Sequence, residues 1–168
     1  MTGKAVDLGL SVLWADINIG ASEIFAYGKL FGYGDTNGEN YSEEKNMYPR
    51  TNIVNSPYDT AKAMWGNGWR MPTCDELKEL SAKCQFTPFE KNGIKGTLVT
   101  GPNGNSIFLP FDGVRIGINT HRTGQLGQYW SGTLSNNYHV SMDVFGYDAN
   151  LSLVSPSWGR SIRPVRDK

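Results

Sequence analysis

Short β-type runs, each ended by a turn, occupy most of this chain, and only two segments carry the signals that begin an α-helix. Glycine supplies 20 of the 168 residues, about 12% against a usual ~7%. Because glycine adopts the backbone angles of tight turns at no steric cost, such a chain favours short strands joined by turns over a helical bundle. Aromatic residues make up 12% of the sequence and supply enough apolar mass for a core. The sequence therefore predicts a globular, β-rich protein with two helices.

The first helix is predicted from the pattern Ser-Pro-Tyr-Asp that begins at Ser56. Ser56 is the expected N-cap and Pro57 takes the first helical position, where its missing N–H costs nothing. Gly66 ends the run, so the helix is expected near 57–65.

The second helix has a stronger start, because Thr73 and Glu76 have the spacing of a capping box. In that motif the Thr73 hydroxyl accepts the backbone N–H of Glu76, and the Glu76 carboxylate accepts that of Thr73. The helix is expected near 74–84, with an apolar stripe packed on a sheet. The stripe consists of Leu77, Leu80 and Cys84.

The remaining segments predict strands and loops. We expect a strand within 8–18, strand and turn over 24–34, a long surface loop over 35–55, and a hairpin of 97–100 with 106–111. A last strand is expected over 161–165, where Arg163 and the following Arg166 are expected to form salt bridges.

The clearest alternation lies in 137–144. One set of alternate residues is polar: Asn137, His139, Ser141 and Asp143. The other set is Tyr138, Val140, Met142 and Val144, so one face should lie on the core and the other in water. The same style continues over 150–154.

Charge and hydropathy exclude some partners. Lys plus Arg and Asp plus Glu both number 16, and no two Lys or Arg residues are adjacent. A nucleic-acid backbone or an anionic membrane is held by clustered positive charge, so neither is the expected partner. No apolar stretch is long enough for a membrane span, and we expect no direct membrane insertion.

The two cysteines, Cys74 and Cys84, are expected to be free thiols. Ten residues of one helix separate them by roughly 15 Å, which exceeds the ~7 Å limit for a disulfide. The Cys-x-x-Cys spacing of structural zinc sites is absent, and no metal or cofactor is expected.

Four stretches in order resemble one family. They are Val-Asp-Leu-Gly-Leu-Ser-Val-Leu-Trp-Ala at 6–15, Gly-Trp-Arg-Met-Pro-Thr at 68–73 with Glu76 and Leu77, Gly-Pro-Asn-Gly-Asn-Ser-Ile-Phe-Leu-Pro at 101–110, and Tyr-Trp-Ser at 129–131 followed by Ser-Ile-Arg-Pro-Val-Arg at 161–166. Together they resemble the major paralogous-domain family of secreted bacterial surface proteins, which has a C-type lectin-like fold. That family is related to formylglycine-generating enzymes and to the variable proteins of diversity-generating retroelements.

The resemblance implies one α+β domain over 1–168, with two helices, a twisted antiparallel sheet joining the termini, and a loop-rich half that holds the ligand surface. It also implies a secreted or cell-surface, non-catalytic module that binds a glycan or a protein. Trp14, Trp65, Trp69 and Trp130 are expected in the core.

In the variable-protein branch, diversified positions lie on solvent-exposed strand faces and loops in the final third of the domain. The corresponding candidate ligand-binding residues here are Asn136, Asn137, His139, Ser141, Asp143, Tyr147, Asn150, Ser152, Ser157 and Trp158. Tyr147 and Trp158 are the expected aromatic anchors. An ordinary solvated sheet face remains the alternative.

Other functions within the resemblance have weaker support. Calcium-dependent lectins use a Glu-Pro-Asn or Gln-Pro-Asp loop and a Trp-Asn-Asp triplet, and this chain has neither. An oxidoreductase like the formylglycine-generating enzymes would have to use Cys74 or Cys84, which lie in mid-chain rather than in the late part of the domain. A structural subunit of a surface fibre is a third possibility.

Overall fold

The two ends of the chain pair with each other in one antiparallel sheet. The computed structural model describes all 168 residues, as a mixed α+β fold with two α-helices and several small antiparallel sheets. Its elements in order are β1 Ala5–Val6, β2 Val12–Ala15, a 3₁₀ turn Lys45–Met47, α1 Thr60–Trp65, β3 Trp69–Arg70, α2 Cys74–Lys83, β4 Gln85–Lys91, β5 Ile94–Thr100, β6 Ser106–Pro110, β7 Val114–Ile116, β8 Asn119–His121, β9 Gly127–Trp130, β10 Val140–Val144, β11 Ala149–Leu153 and β12 Val165–Asp167.

The sheets are small, and their order brings distant segments together. The terminal sheet has the order β1-β2-β12-β3, with Val165 opposite both Trp14 and Arg70. A second sheet, β11-β10-β9, lies in the final third, and a third, β4-β5-β6, follows α2. Strands β7 and β8 form a separate hairpin. The ends of the chain are therefore joined by backbone hydrogen bonds, as the resemblance implied.

Two hydrophobic cores follow from the alternation of side chains along the strands. Trp14, Tyr129 and Val165 belong to one core, which also receives Leu77 and Leu80 from α2. The second core contains Ala15 and Trp130, the chain neighbours of Trp14 and Tyr129, together with Ile162, Trp65 and Trp69. All four tryptophans expected in the core are buried there.

Helix α1 begins three residues later than predicted, because Asp59 rather than Ser56 is its N-cap. The Asp59 carboxylate is fully buried and accepts the backbone N–H groups of Lys62 at 3.1 Å, Asn55 at 2.8 Å and Met71 at 3.1 Å. The Ser56 hydroxyl instead accepts the N–H of Tyr58 in a local turn. A carboxylate that satisfies three separate backbone donors outweighs a serine cap, so the Ser56 prediction was wrong.

Helix α2 has the predicted capping box. Thr73 Oγ1 accepts the N–H of Glu76 at 3.1 Å, and Glu76 Oε1 accepts that of Thr73 at 2.9 Å. Arg70 forms a bidentate ion pair with the same carboxylate, in which Nη1 and Nη2 donate to Oε1 and Oε2 at 2.8 and 2.7 Å. Burial raises the pKa of Glu76, but the hydrogen bonds from Arg70 and Thr73 outweigh it and hold the pKa below its usual value. Cys84 is the C-cap of the helix, and both cysteines are free.

The strand predictions are correct where alternation or turn chemistry is strong. The hairpin of β5 and β6 forms around 101–105 as expected. Strand β4 was not predicted, because Phe86 is its only buried residue and its sequence has no two-residue period. Its turn into β5 is Asn92-Gly93, with φ of 54° and 80°, which suits a tight hairpin.

Two further segments differ from expectation. The aromatic segment 24–34 forms no strand, apart from one bridge between Phe31 and Arg160. The last strand begins only at Val165, since Ser161 makes an isolated bridge to Tyr129. The long loop over 35–55 contributes Ile53 to the second core. Neither helix has the length and apolarity needed to cross a lipid bilayer.

A buried polar network links the C-terminal segment to the rest of the fold. Arg163 is fully buried and forms no salt bridge, contrary to expectation; its Nε donates to Asn18 Oδ1 at 2.6 Å. Asn18 Nδ2 in turn donates to Asp112 Oδ2 at 3.0 Å, which also accepts the Ser161 hydroxyl at 2.8 Å. Arg166 is exposed and lies 5.7 Å from the Trp69 ring centroid, again without a salt bridge. Arg163 therefore has a structural role in the interior.

Candidate ligand-binding groove

The polar face of β10 is buried, which corrects the prediction that it faces water. His139 and Asp143 are each 8% exposed and Ser141 is fully buried. The hydroxyls of Ser141 and Ser152 donate to the two carboxylate oxygens of Asp143 at 2.8 and 2.9 Å. These side chains therefore satisfy one another instead of being free for a ligand.

Loop residues cover this face. The His139 ring lies 4.5 Å from that of Tyr33, and its Nε2–H donates to the Pro49 carbonyl at 2.8 Å. Burial lowers the pKa of His139. Next to it, Arg160 binds Gln128, which lies directly opposite Asp143 in the sheet. The sequence alternation correctly distinguished the two faces of β10, but it could not show that distant loops cover the polar one. Tyr138, which the alternation placed on the core face, precedes the strand and is 60% exposed, so that part of the prediction was wrong.

A shallow groove lies over this covering layer, along the end of β11. It consists of a cleft of about 470 Å³ and an adjoining one of about 380 Å³. The two clefts share Lys45, Leu153, Val154 and Ser155, so they form one continuous surface, which we call the β11 groove. Four of the candidate residues line it: Asn137, His139, Ser157 and Trp158.

The other candidates are elsewhere. Ser141 and Asp143 lie in the buried layer, with Ser152 half-buried beside them. Asn136, Tyr147 and Asn150 are exposed but do not line the groove. The neighbour of Tyr147, Gly146, lies against Pro88 at the far end of β11, and its carbonyl accepts the Thr97 hydroxyl. The two expected aromatic anchors therefore do not belong to one surface.

Three large side chains give the groove its apolar contact area. Leu153 is 64% exposed, Tyr138 is 60% exposed and Trp158 is 36% exposed. Trp158 lies at one end with Arg160, and Tyr138 lies at the other end with Arg50. Exposed aromatic side chains beside polar groups are typical of binding surfaces.

Arg160 forms the floor beside Trp158 and is held rigidly. Its Nε donates to Gln128 Oε1 at 2.8 Å, and its Nη1 donates to the carbonyls of Ser155 at 2.6 Å and Trp158 at 3.3 Å. The guanidinium carbon lies 4.6 Å from the Trp130 ring centroid and 5.6 Å from that of Trp158. Burial lowers the pKa of Arg160 to about 10, against a smaller opposing effect of the nearby Asp143 charge. The side chain is still a cation at neutral pH.

Sequence reasoning missed Arg160, Gln128, Lys45 and Arg50. Lys45 and Arg50 come from the long loop over 35–55, which has no sequence period, so no local pattern places them beside β11. Arg160 follows Gly159 in an irregular segment, and only the fold shows that it packs on Trp130. His121 and Arg122 are exposed at the β7–β8 hairpin and line no part of the groove.

The two thiols lie outside the groove. Burial raises the pKa of Cys74, and burial followed by the Glu79 charge raises that of Cys84 to about 11. No three His, Cys, Asp or Glu side chains converge as metal ligands would. The Asp35 carboxylate accepts the backbone N–H groups of Asn37, Gly38 and Asn40 within its own turn.

Comparisons with protein-family models, with curated proteins and with solved structures found no match to this chain.

Proposed function

We propose that this chain is a single, non-catalytic ligand-binding or adhesion domain of C-type lectin-like fold, exposed at a cell surface or secreted, and that it holds a glycan or a protein in the β11 groove. The observation that supports this most is the construction of the groove. Exposed Trp158, Leu153 and Tyr138 lie on a floor whose side chains, among them Asp143 and Arg160, are held in place by hydrogen bonds. A rigid floor with adaptable polar and aromatic side chains above it reduces the entropy lost on binding.

The C-type lectin-like assignment is supported by the positions of the four resembling stretches. Three of them contribute Trp14, Trp69 and Trp130 to the two cores, and the fourth supplies the turn of the β5–β6 hairpin. The pairing of β2 with β12 fits the sheet that joins the termini in such folds. Whether the groove residues belong to a diversified region is a separate question, for which the codons or a neighbouring template repeat are required.

The competing function is an oxidoreductase that uses Cys74 or Cys84. A nucleophilic thiol needs a lowered pKa, since the thiolate is the reactive form. Burial raises the pKa of both thiols, which favours the binding function. Replacing both cysteines with serine separates the two: a binding domain keeps its ligand affinity, whereas such an enzyme loses turnover.

A glycan and host-protein array on the purified domain tests the proposal. We expect at least one ligand whose binding is weakened by Trp158→Ala, with Tyr147→Ala as the matched aromatic control outside the groove. A truncated aromatic anchor typically costs about 2 kcal/mol, or roughly 30-fold in affinity. A chain that binds nothing on the array but assembles with a partner chain would instead be a fibre subunit, and the proposal would be wrong.

A further inference from the structure

The floor of the β11 groove presents hydrogen-bond donors that have no acceptor. Arg160 is only 2% exposed, yet its Nη2 makes no hydrogen bond within the protein. This atom nevertheless keeps some contact with solvent. This nitrogen is therefore a part of the guanidinium that solvent reaches, in a residue that lines the cleft. Arg160 also has no carboxylate within ion-pair distance.

Gln128 adds a second donor of the same kind. Its Oε1 accepts Arg160 Nε–H, which fixes the orientation of the amide and leaves the Nε2 group as the free end. That group makes no hydrogen bond within the protein, and Gln128 lines the same cleft as Arg160. Two hydrogen-bonded side chains that line one cleft thus each keep a donor without an acceptor in the protein.

The rim has the same charge as the floor. Lys45 and Arg50 are exposed, line the groove and take part in none of the ion pairs of the fold. Glu43 is the one acidic side chain in the lining. With Arg160 included, three cations face one anion on a chain whose net charge is zero. Such a groove attracts a ligand that is rich in acceptors and negatively charged.

We propose that the β11 groove binds an acidic glycan, with a sugar carboxylate on Arg160 Nη2 and Gln128 Nε2 and a sugar ring on the Trp158 indole. This inference rests on the proposed binding function and specifies its ligand.

A glycan fits this site better than an acidic peptide. Strand β11 ends at Leu153, and Pro156 follows with no N–H to offer, so little regular backbone continues along the groove for an added strand. The groove instead provides side-chain hydrogen-bond donors beside the partly exposed indole of Trp158. Ring stacking and side-chain hydrogen bonds are the contacts that a short, branched and polar ligand can use.

The test compares charged ligands with their uncharged counterparts. The probes are oligogalacturonate and its fully methyl-esterified form, sialyllactose and lactose, and a poly-glutamate peptide, each titrated calorimetrically into the intact chain. We expect at least one acidic glycan to bind and its uncharged counterpart to bind at least tenfold more weakly, because the ester or the missing sugar removes a charge-assisted hydrogen bond. Affinity for the acid should fall as salt is raised.

Variants locate the site. The double change Lys45→Ala with Arg50→Ala alters only exposed side chains and should weaken the acidic ligand several-fold and flatten its salt dependence. Arg160→Gln should weaken it tenfold or more, and thermal melting shows whether that variant is folded. Lys95→Ala, an exposed cation on β5 outside the groove, is the matched control and should have no effect.

The outcomes are distinct. If charged and uncharged sugars bind equally well and Trp158→Ala weakens both, the acidic specificity is wrong but the binding function stands. If poly-glutamate binds and no acidic glycan does, the proposed ligand class is wrong. The same conclusion holds if a protein on the array binds and no acidic glycan does. An unchanged affinity in the folded Lys45 and Arg50 double variant overturns the proposed charge complementarity. Failure of all ligands on the array overturns the proposed function itself.

Discussion

Burial of the Asp112 carboxyl predicts that the contribution of this group to the free energy of unfolding falls as the pH rises from 4 to 7. Asp112 is 3% exposed, and burial raises its pKa from 3.8 to about 6, against the opposing effects of hydrogen bonds from Ser161, Asn18 and Gly28 and of the Arg163 charge. Its Oδ1 has no hydrogen-bond partner. The folded state therefore holds this proton more tightly than the unfolded chain does, which is the reverse of the usual case for an aspartate.

The sign and size follow from proton linkage. Below the unfolded pKa of 3.8 the carboxyl is protonated in both the folded and the unfolded state, so it does not change the free energy of unfolding. Between pH 3.8 and about 6 only the unfolded chain releases the proton, so the free energy of unfolding falls. Above about 6 the full cost of about 3 kcal/mol is present. Between pH 4 and pH 7 the change amounts to about 2 kcal/mol.

The variant Asp112→Asn isolates this effect from the other titrating groups. Asparagine keeps an acceptor oxygen for Asn18 and Ser161 and cannot ionise. Urea denaturation of both proteins should show the variant gaining about 2 kcal/mol relative to the wild type from pH 4 to pH 7. Asp148→Asn, at an exposed turn, is the control and should show no such trend. A stability difference for Asp112→Asn that does not change with pH would show that Arg163 keeps the carboxyl ionised and would refute the reasoning.

Three further predictions concern the cap, the thiols and the groove. Thr73→Ala should lower the free energy of unfolding by about 1 kcal/mol because the capping hydroxyl is lost, whereas Thr73→Ser should keep most of that stability. Equal denaturation midpoints for the wild type and the alanine variant would contradict the cap. Titration of denatured, unreduced protein should find two thiols, from Cys74 and Cys84, and a count of zero in monomeric protein would mean that they pair. Trp158→Ala should weaken ligand binding strongly with little change in melting temperature, whereas Tyr147→Ala should leave binding intact.

The parts of the fold that sequence reasoning predicted correctly are those set by local chemistry. The capping box at Thr73 needs only two residues three apart, and the β5–β6 hairpin needs a turn between two apolar runs. The start of α1 was misplaced because its true cap, Asp59, is stabilised by Met71, a residue distant in the sequence. Local signals therefore fail where a buried carboxylate collects backbone donors from several segments.

The candidate site shows the same limit. Alternation separates the polar from the apolar side chains of β10, but it does not reveal that Tyr33 and Pro49 come from another part of the chain to cover His139. Trp158 is 36% exposed and lines the groove, whereas Tyr147, the other expected anchor, does not line it. Arg160 was missed because its role depends on stacking against Trp130, which no spacing in the sequence encodes.

The central claim is that the β11 groove is the ligand-binding surface, and nuclear magnetic resonance tests it most directly. The chain has five tryptophans, so an ¹⁵N spectrum contains five indole N–H signals, of which that of Trp158 reports on the groove. On titration with the tightest ligand from the array, we predict shifts for the Trp158 indole and for the backbone of 153–160, with the fully buried Trp14 unchanged. Shifts confined to residues 116–126, around β8, with Trp158 unchanged, would show that the ligand binds outside the groove and would contradict this assignment.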